Sequence, residues 1–396
     1  MTGSPPRIDH DAVVAEAARL IAVEGHQDHP RAERAVADHL AARLTAAGAE
    51  VTLQPVGADR RNVIARVRGQ RPGPTLMLNA HLDTVPPYAM PDALTPRVED
   101  GRLWGRGAVD MKGALAAMAA VVAALAAPGV RLAGELVLTA VAGEESGSDG
   151  MRALVAAGTG ADFAVVGEPT ALRVGRAHKG AMWAEAAFRG VAAHGSVPEA
   201  GVNAIHHAAR FVERVERSLA PALAERRHPL LGPATVNVGV IAGGDRPPMV
   251  PAACRVQLDR RWLPGERHEQ VLGELRAIVA DLRRADPAVD ATVTEMEGTS
   301  GFVHAPLDTP ADHRYVRLLG EVAAERTGQD TAPVGLQFWT DGALLAAATG
   351  TPTVVCGPGD IAQAHSLAEW VAVEQLHRAA DVYLSLAARM LSVHAA

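Results

Sequence analysis

The sequence predicts an α/β protein into which a smaller α+β domain is inserted. Over the first third of the chain, and again after about residue 297, amphipathic helix patterns alternate with short apolar runs of strand length. Between about 180 and 296 the order changes to strand, helix, strand, strand, helix, strand, which is the order of a ferredoxin-like unit. The 396 residues can hold two domains of ordinary size. We therefore predict a first domain at 1–178 and 297–396, and an inserted domain at 179–296.

The elements of the first domain are identified by the period of their apolar residues. Helices bury every third or fourth residue, whereas buried strands show short apolar runs. The alanine-rich segment 113–130 is about as long as a membrane span, but alanine contributes little transfer free energy, so we predict a buried core helix. In chain order we predict helices at 10–24 and 31–48, strands VTLQPV, NVIARVRG and TLMLNAHLD, the alanine-rich helix, strand ELVLTAVAGEE, a helix at 149–157 and strand ADFAVVGEPT.

The remaining elements follow from the same two periods. The inserted domain is predicted to contain, in order, strand GAMWAEAAFRG, helix NAIHHAARFVERVERSL, strands ATVNVGVIAGG and CRVQLDRRW, helix HEQVLGELRAIVADLRRA and strand ATVTEM. The first domain then resumes with helices at 311–327 and 340–349, strand TPTVVCG and a final helix at 371–393.

Composition argues against several classes of partner. The formal net charge is −7, and acidic and basic residues are interspersed. We therefore expect no basic surface patch that would bind nucleic acid or an anionic membrane. The first twenty residues or so are polar where a secretion signal would be apolar, and we expect a cytoplasmic protein. Cys254 and Cys356 lie outside any CxxC motif, so we predict two buried side chains rather than a disulfide or a thiolate zinc cluster.

Polar residues follow three predicted strands at the point where each strand ends. His81 and Asp83 end TLMLNAHLD, Glu144 and Glu145 follow ELVLTAV, and Glu168 ends FAVVGE. Ligands of open α/β sheets bind at the carboxyl ends of strands, so we expect these three ends to converge. Side chains alternate along a strand, which would put His81 and Asp83 on one face as a ligand and its orienting carboxylate.

Asp110 adds a further carboxylate, in GRGAVDMKG at the start of the alanine-rich helix. Four carboxylates at one sheet edge would repel each other unless cations neutralise them. Carboxylates with imidazole and without thiolate suit zinc, manganese or cobalt, and a pair of such ions suits hydrolysis through a bridging water. A second histidine is then expected. His365 is the candidate, because it follows strand TPTVVCG and a glycine-rich turn, beginning at Gly357, that lets the backbone approach a site.

Two competing motifs are incomplete. GRGAVD begins like a dinucleotide-binding fingerprint, but Asp110 stands at the third glycine position. GEESG has its serine one position late for the nucleophile elbow of a serine hydrolase. The metal-site interpretation therefore stands as the best supported by the residues.

Together these residues resemble the metallohydrolase family of acetylornithine deacetylase, succinyl-diaminopimelate desuccinylase, aminoacylase and carboxypeptidase G. The resemblance covers nearly the whole chain, in the family's order and spacing, through HLDTVP, GRGAVDMKG, GEES, GEPT, HGSVPEAGVNAI and GPGDIAQAHS. It implies a three-layer, zinc-peptidase-like catalytic domain with an inserted ferredoxin-like domain that serves as lid and dimerisation element.

The resemblance also implies roles for the metal-site residues. Two divalent ions are expected, with zinc as the first choice and cobalt or manganese as the next. The ligands would be His81, Asp110 and Glu168 for one ion, and Asp110, Glu145 and His365 for the other. Asp83 would orient His81. Glu144 would act as the general base that takes a proton from the bridging water and hands it to the leaving amine.

Further residues are implied at the substrate. His194, in the inserted domain, would close over the site and stabilise the oxyanion. Arg261 would bind a substrate carboxylate, unless the strand register makes Arg260 the inward residue. Pro248 stands where many relatives have an asparagine, so that contact is lost or comes from another residue. The candidate substrate-binding residues are Arg261, Asn237, Asn203 and Gly357.

The predicted function is an acetylornithine deacetylase-like amide hydrolase that removes the acyl group from a small N-acyl amino acid. A carboxypeptidase or dipeptidase, or a succinyl-diaminopimelate desuccinylase, stays open because the sequence does not display the pocket. A non-catalytic metal-dependent binder of acyl amino acids is the alternative from another class. Glu144 argues against it, since a binder needs no base beside its metals. The inserted domain further predicts a homodimer and a hinge that closes over the substrate.

Overall fold

Four neighbouring parallel strands form the middle of a mixed sheet in the computed structural model, and their carboxyl ends lie along one edge. In sheet order these strands are Ala133–Val141, Arg71–His81, Phe163–Pro169 and Thr353–Gly357. Antiparallel strands flank them, with Arg60–Arg68 and then Glu50–Val56 on one side and Gly175–His178 on the other. The predicted convergence of the strand ends is confirmed by this register.

Helices cover both faces of this sheet and bury its apolar strands. One face packs against His10–Ala22, Arg34–Ala46, Gly113–Ala126, Arg314–Thr327 and Val373–Met390. The other face packs against Asp149–Ala156 and Gly342–Thr349. Strands covered on both faces must be apolar along their whole length, which explains their continuous apolar runs. The predicted three-layer α/β arrangement is confirmed.

The alanine-rich segment forms the core helix Gly113–Ala126. The helical stretch Ala108–Ala126 has a mean hydropathy of 1.7 and is the one such stretch within the described residues that is apolar enough to span a membrane. About 89% of it is buried inside the protein, against the helices His10–Ala22 and Val373–Met390. Its apolar surface is therefore buried in the protein core, as the sequence predicts.

The structure describes residues 6–26, 28–29, 33–57 and 59–395, and separates them into two units. The first unit comprises Met1–Arg176, Thr309–Gly335 and Thr340–Ala396, and the second comprises Ala177–Asp308 and Leu336–Trp339. The helix predicted at 31–48 is observed as Arg34–Ala46, with 31 and 32 lying outside the described residues.

The second unit continues past its predicted end at 296 because later backbone pairs with its first residues. The Ala181 amide donates to the carbonyl of His304 over 3.0 Å, and Leu307 pairs with His178. The main segment of the second unit therefore ends at Asp308, and Leu336–Trp339 also belongs to this unit.

The second unit contains a four-stranded sheet in which every neighbouring pair is antiparallel. Its order is Thr235–Gly243, Ala253–Trp262, Gly180–Arg189 and Asp290–Glu295. Helices Ala204–Arg214 and His268–Ala285 bury one face, and the first continues through Val215–Leu219 and Ala220–Ala224. This is the predicted ferredoxin-like arrangement of one sheet with two helices on one face.

Several short elements are absent from the sequence prediction, because two or three residues show no period. They are strands Arg97–Glu99, Arg102–Trp104, Val130–Arg131, Arg227–His228, Gly232–Pro233, Leu307–Asp308, Val334–Leu336, Trp370–Ala372 and His394–Ala395, and 3-10 turns Glu144–Ser146, Pro198–Ala200 and Ile361–Gln363.

Candidate metal centre

Five potential metal ligands project from the carboxyl edge of the parallel strands. His81 and Glu168 lie at the ends of their own strands. Glu145 lies in the turn after Ala133–Val141, Asp110 precedes the core helix, and His365 follows Thr353–Gly357. Elements far apart in sequence thus deliver imidazole and carboxylate groups to one place.

The first group consists of His81, Asp110 and Glu168, all buried. The His81 Nε2 atom lies 3.0 Å from Asp110 Oδ1 and 3.4 Å from Glu168 Oε1. One ligand atom from each residue lies within 4.8 Å of the others. A single divalent ion between these atoms would reach all three.

The second group consists of Asp110, Glu145 and His365, and it meets the same 4.8 Å limit. The His365 Nε2 atom lies 3.1 Å from Asp110 Oδ2 and 3.0 Å from Glu145 Oε1. Asp110 therefore turns one oxygen toward each histidine. This is the geometry that a carboxylate bridging two cations requires.

The backbone fixes the tautomer of His81. Its Nδ1 atom lies 2.9 Å from the carbonyl oxygen of Asp83. A carbonyl only accepts hydrogen bonds, so Nδ1 carries the hydrogen and the lone pair of neutral His81 is on Nε2, facing Asp110 and Glu168. The ring is therefore oriented for metal binding through Nε2.

The carboxylate of Asp83 lies close to His81 and also binds the turn after a neighbouring strand. Its Oδ1 atom is 3.7 Å from His81 Nδ1. The same carboxylate accepts the amides of Gly143, Glu144 and Glu145 at 2.9, 3.2 and 3.1 Å. That the Asp83 carboxylate orients His81 stays a prediction, and its contacts add a second task, which is to hold the turn that carries the two glutamates.

The electrostatics of the centre favour cations. Burial, followed by the neighbouring Asp110, raises the pKa of Glu168 to about 7. Hydrogen bonds with Asp110 and Glu145 raise the pKa of His365 to about 10. Burial opposes protonation of His81, but its contacts with Asp110 and Glu168 outweigh burial and raise its pKa as well. In the absence of metal, protons on the two imidazoles would neutralise the carboxylates.

Metal binding should therefore release protons. The pKa of His365 is about 10, so at pH 8 the metal-free imidazole is protonated, and it must lose that proton to become a ligand. We expect the zinc affinity to rise as the pH is raised from 7 to 9. The released protons are counted by calorimetric titration with zinc in buffers of different ionisation enthalpy. A binding enthalpy independent of the buffer would contradict this.

Glu144 is a carboxylate beside both groups that belongs to neither. It is partly buried, next in sequence to Glu145 and held through its amide by Asp83. Burial, and then the neighbouring carboxylates of Asp341 and Glu168, raise its pKa well above the usual value. A carboxylate outside the ligand sets, with a raised pKa, is suited to accept and return a proton.

Asp110 is positioned by Glu369, a residue that no sequence motif identifies. The Glu369 carboxylate accepts the amides of Gly107, Val109 and Asp110 at 3.0, 3.0 and 3.2 Å, and pairs with Arg106 Nη1 at 2.6 Å. All these atoms are buried. The arginine in GRGAVD hints at an acidic partner, but nothing in the sequence shows where that partner stands.

Asp341 is a second unpredicted acid near the site, and it is 2% exposed. Burial raises its pKa to about 7, and neither of its carboxylate oxygens has a hydrogen-bond partner among the described residues. It lies just before helix Gly342–Thr349, and no sequence motif there marks it as a site residue.

The remaining predicted site residues, apart from Gly357, lie in the second unit. Arg260 is fully buried and pairs with Glu266 at 2.8 Å and Glu274 at 3.3 Å, so it shares the helix-covered face of the sheet. Arg261 points to the opposite face, where Asp259 binds its Nε and Nη2 atoms at 2.8 and 2.9 Å.

The other second-unit residues have local partners. His194 is exposed and its Nδ1 contacts Ser196 Oγ at 2.7 Å. Asn203 caps helix Ala204–Arg214, and Asn237 is exposed on strand Thr235–Gly243. Their substrate contacts stay predictions.

Gly357 lies in the first unit, at the end of its strand. A Cβ atom there would stand 1.9 Å from the Gly167 carbonyl oxygen, so close packing of two strands explains the glycine. Its proposed contact with substrate also stays a prediction.

The fold and the site define a class: two ligand groups that share one carboxylate, with a separate glutamate beside them, are the arrangement of a two-metal hydrolase. The model of peptidase family M20/M25/M40 matches residues 77–389, and the chain belongs to this family. It is a metal-dependent hydrolase of amide or peptide bonds.

Similar proteins include two named acetylornithine deacetylase. The protein from Myxococcus xanthus is 38% identical over 86% of this chain and 88% of its own length. That from Proteus mirabilis is 30% identical over 86% of each. The crystal structure of aminopeptidase PepT from Bacillus cereus has a TM-score of 0.79 at 21% identity, covering 96% of this chain and 98% of its own. Bacillus subtilis YXEP, described as a dinuclear metal-binding peptidase, has a TM-score of 0.72 at 16% identity, covering 97% and 98%.

Proposed function

We propose that this protein removes the acyl group from a small N-acyl amino acid, as an acetylornithine deacetylase does. The observation that carries the proposal is the bridging position of Asp110 between two ligand groups, with Glu144 beside them and in neither. The acyl amino acid is proposed from the 38% identity with the Myxococcus xanthus protein.

The donor set fits two divalent ions with zinc as the first choice. Imidazole and carboxylate donors without thiolate suit zinc, cobalt and manganese. We assign His81, Asp110 and Glu168 to one ion, and Asp110, Glu145 and His365 to the other. Such ions, when bound, would polarise the scissile carbonyl and lower the pKa of water.

Glu144 would move the protons of the reaction. It would accept one from the attacking water and return it to the nitrogen that leaves as an amine. Asp83 would keep Glu144 in place, because it binds the amides of residues 143 to 145. His81 and His365 would remain neutral ligands throughout.

Substrate recognition is assigned to the second unit. Arg261 would bind the substrate carboxylate, and its bidentate contact with Asp259 orients the guanidinium. Arg260 is not assigned this contact, because its side chain is fully buried on the helix-covered face of the sheet. We assign the oxyanion contact to His194 and supporting contacts to Asn203, Asn237 and Gly357.

The test is amine release from a panel of N-acetyl, N-succinyl and N-formyl amino acids and dipeptides. The protein is first stripped of metal and then restored with zinc, cobalt or manganese. We expect turnover only after metal addition and the fastest turnover with an N-acetyl amino acid. Preference for dipeptides would favour a peptidase instead, and tight binding of acyl amino acids without turnover would favour the non-catalytic binder.

We also propose a homodimer formed through the second unit. Strand Thr235–Gly243 is an edge of its sheet, and Val240 and Ile241 on it are 39% and 52% exposed. An open edge with apolar side chains is suited to pair with a second copy. The cytoplasmic location stays a prediction from the sequence.

The dimer can be tested by placing a charge on that edge. We expect wild-type protein to have twice the mass of the 41.2 kDa chain in light scattering, and Ile241→Lys to shift it to the monomer. Val98→Lys is the matched control, because Val98 is 57% exposed in the first unit. A wild-type monomer at micromolar concentration would refute the assignment.

A further inference from the structure

The turn that carries Glu144 and Glu145 is closed at its base by Asn62. This fully buried side chain accepts the Ala142 amide at 2.9 Å and donates to the Gly150 carbonyl at 2.8 Å. The turn's two ends are therefore held together by one side chain from the adjacent strand Arg60–Arg68.

Arg60, two residues before Asn62, contacts the turn itself. A Cβ atom on Gly143 would stand 1.9 Å from Arg60 Nη2, so the guanidinium lies directly against the backbone of the turn. Its Nη2 and Nη1 atoms also lie 3.4 Å from Ser146 Oγ and 3.3 Å from Asp149 Oδ2. The guanidinium thus touches the turn on both sides of the two glutamates.

Arg60 is held in turn by Glu33. The Glu33 carboxylate is fully buried and accepts Arg60 Nε at 2.8 Å. A buried charge needs its partner, so Glu33 leaves the guanidinium little freedom to move away. The planar fork of arginine allows one edge to bind Glu33 while the other nitrogens reach the turn, which a lysine ammonium cannot do.

We propose that Arg60 is a positioning residue that, anchored by Glu33, fixes the turn at 143–149 and with it the Glu145 ligand group. This inference rests on the proposed assignment of the two metal ions. Only the second group takes a ligand from this turn. The first group takes its ligands from strand ends and from the segment Ala108–Lys112 before the core helix. Loss of Arg60 should therefore weaken one metal site and spare the other.

The experiment is calorimetric titration of metal-free protein with zinc. Wild-type protein should bind two ions, and Arg60→Met should bind one as before and the other about 10- to 100-fold more weakly. Glu145→Gln identifies the weakened step, because it removes a ligand of that group alone. Arg68→Met is the matched control: Arg68 lies on the same strand, is 63% exposed and pairs with Glu50 and Glu135 away from the turn.

A second variant covers the case in which Arg60→Met does not fold. Arg60→Lys keeps a cation beside Glu33 but cannot span to the turn, so it should fold and show the same selective loss of one zinc ion. Equal weakening of both steps, or unchanged binding of both, in either folded variant would overturn the role of Arg60. If the wild-type protein itself binds fewer than two zinc ions, the two-ion assignment fails and this inference with it, whereas acyl removal is decided separately by amine release.

Discussion

Replacing Glu144 with glutamine is expected to lower kcat by roughly 10²- to 10⁴-fold, the contribution of a positioned general base. The amide keeps the size of the side chain and its place in the turn, but it cannot accept a proton. Because Glu144 belongs to neither ligand group, the variant should still bind both metal ions. The measurements are steady-state amine release and metal content by mass spectrometry.

Glu145→Gln supplies the matched comparison. It is the same chemical change one residue later, in the same turn, at a side chain 3.0 Å from His365 Nε2. We expect this variant to lose activity together with one metal ion, whereas Glu144→Gln loses activity alone. If Glu144→Gln also loses a metal ion, Glu144 is a ligand and the base must be sought elsewhere. If Glu144→Gln keeps a kcat near the wild-type value, Glu144 is not the base.

The sequence predicts well those features that repeat along the chain. Helix His268–Ala285 is observed with its predicted ends, and strand Phe163–Pro169 lies within its predicted run, because many apolar positions contribute to each period. The convergence of His81, Glu145 and Glu168 could be predicted for a related reason. Parallel strands order their carboxyl ends along one edge, so residues after those ends must meet.

The supporting residues could not be predicted, because their partners are brought together only by folding. Glu369 contacts the amides of Gly107, Val109 and Asp110, which are about 260 residues earlier in the chain. Asp83 is a second example. Its carboxylate accepts the amides of residues 143 to 145, a contact about 60 residues away in the chain that no motif near Asp83 predicts.

Strand register resolves one choice that the sequence leaves open. Arg260 and Arg261 are adjacent, so one must face the helix-covered core of the second unit and the other must face away. Arg260 is 0% exposed and pairs with Glu266 and Glu274, which leaves Arg261, on the other face, as the arginine available to a ligand. Its contact with substrate is still a proposal, and the substrate panel with Arg261→Met would measure it as a rise in KM.

The largest expected effect on stability comes from the buried pair of Arg106 and Glu369, whose side chains are each 1% exposed. Arg106→Met removes the cation and leaves the Glu369 carboxylate buried among backbone amides. Breaking a buried pair in this way costs about 3–5 kcal/mol of the free energy of unfolding. The measurement is urea unfolding of the metal-free protein, followed by far-ultraviolet circular dichroism.

Arg97→Met is the control for this stability loss, since its pair with Glu99 is solvent-exposed on both sides and is worth at most about 1 kcal/mol. Arg106→Met should also weaken zinc binding at both ligand groups, because Glu369 holds the amide of Asp110, the ligand that the two groups share. Arg60→Met, in contrast, is expected to weaken zinc binding at one group. If Arg106→Met and Arg97→Met unfold with the same free energy, the buried pair does not stabilise the fold as its geometry predicts.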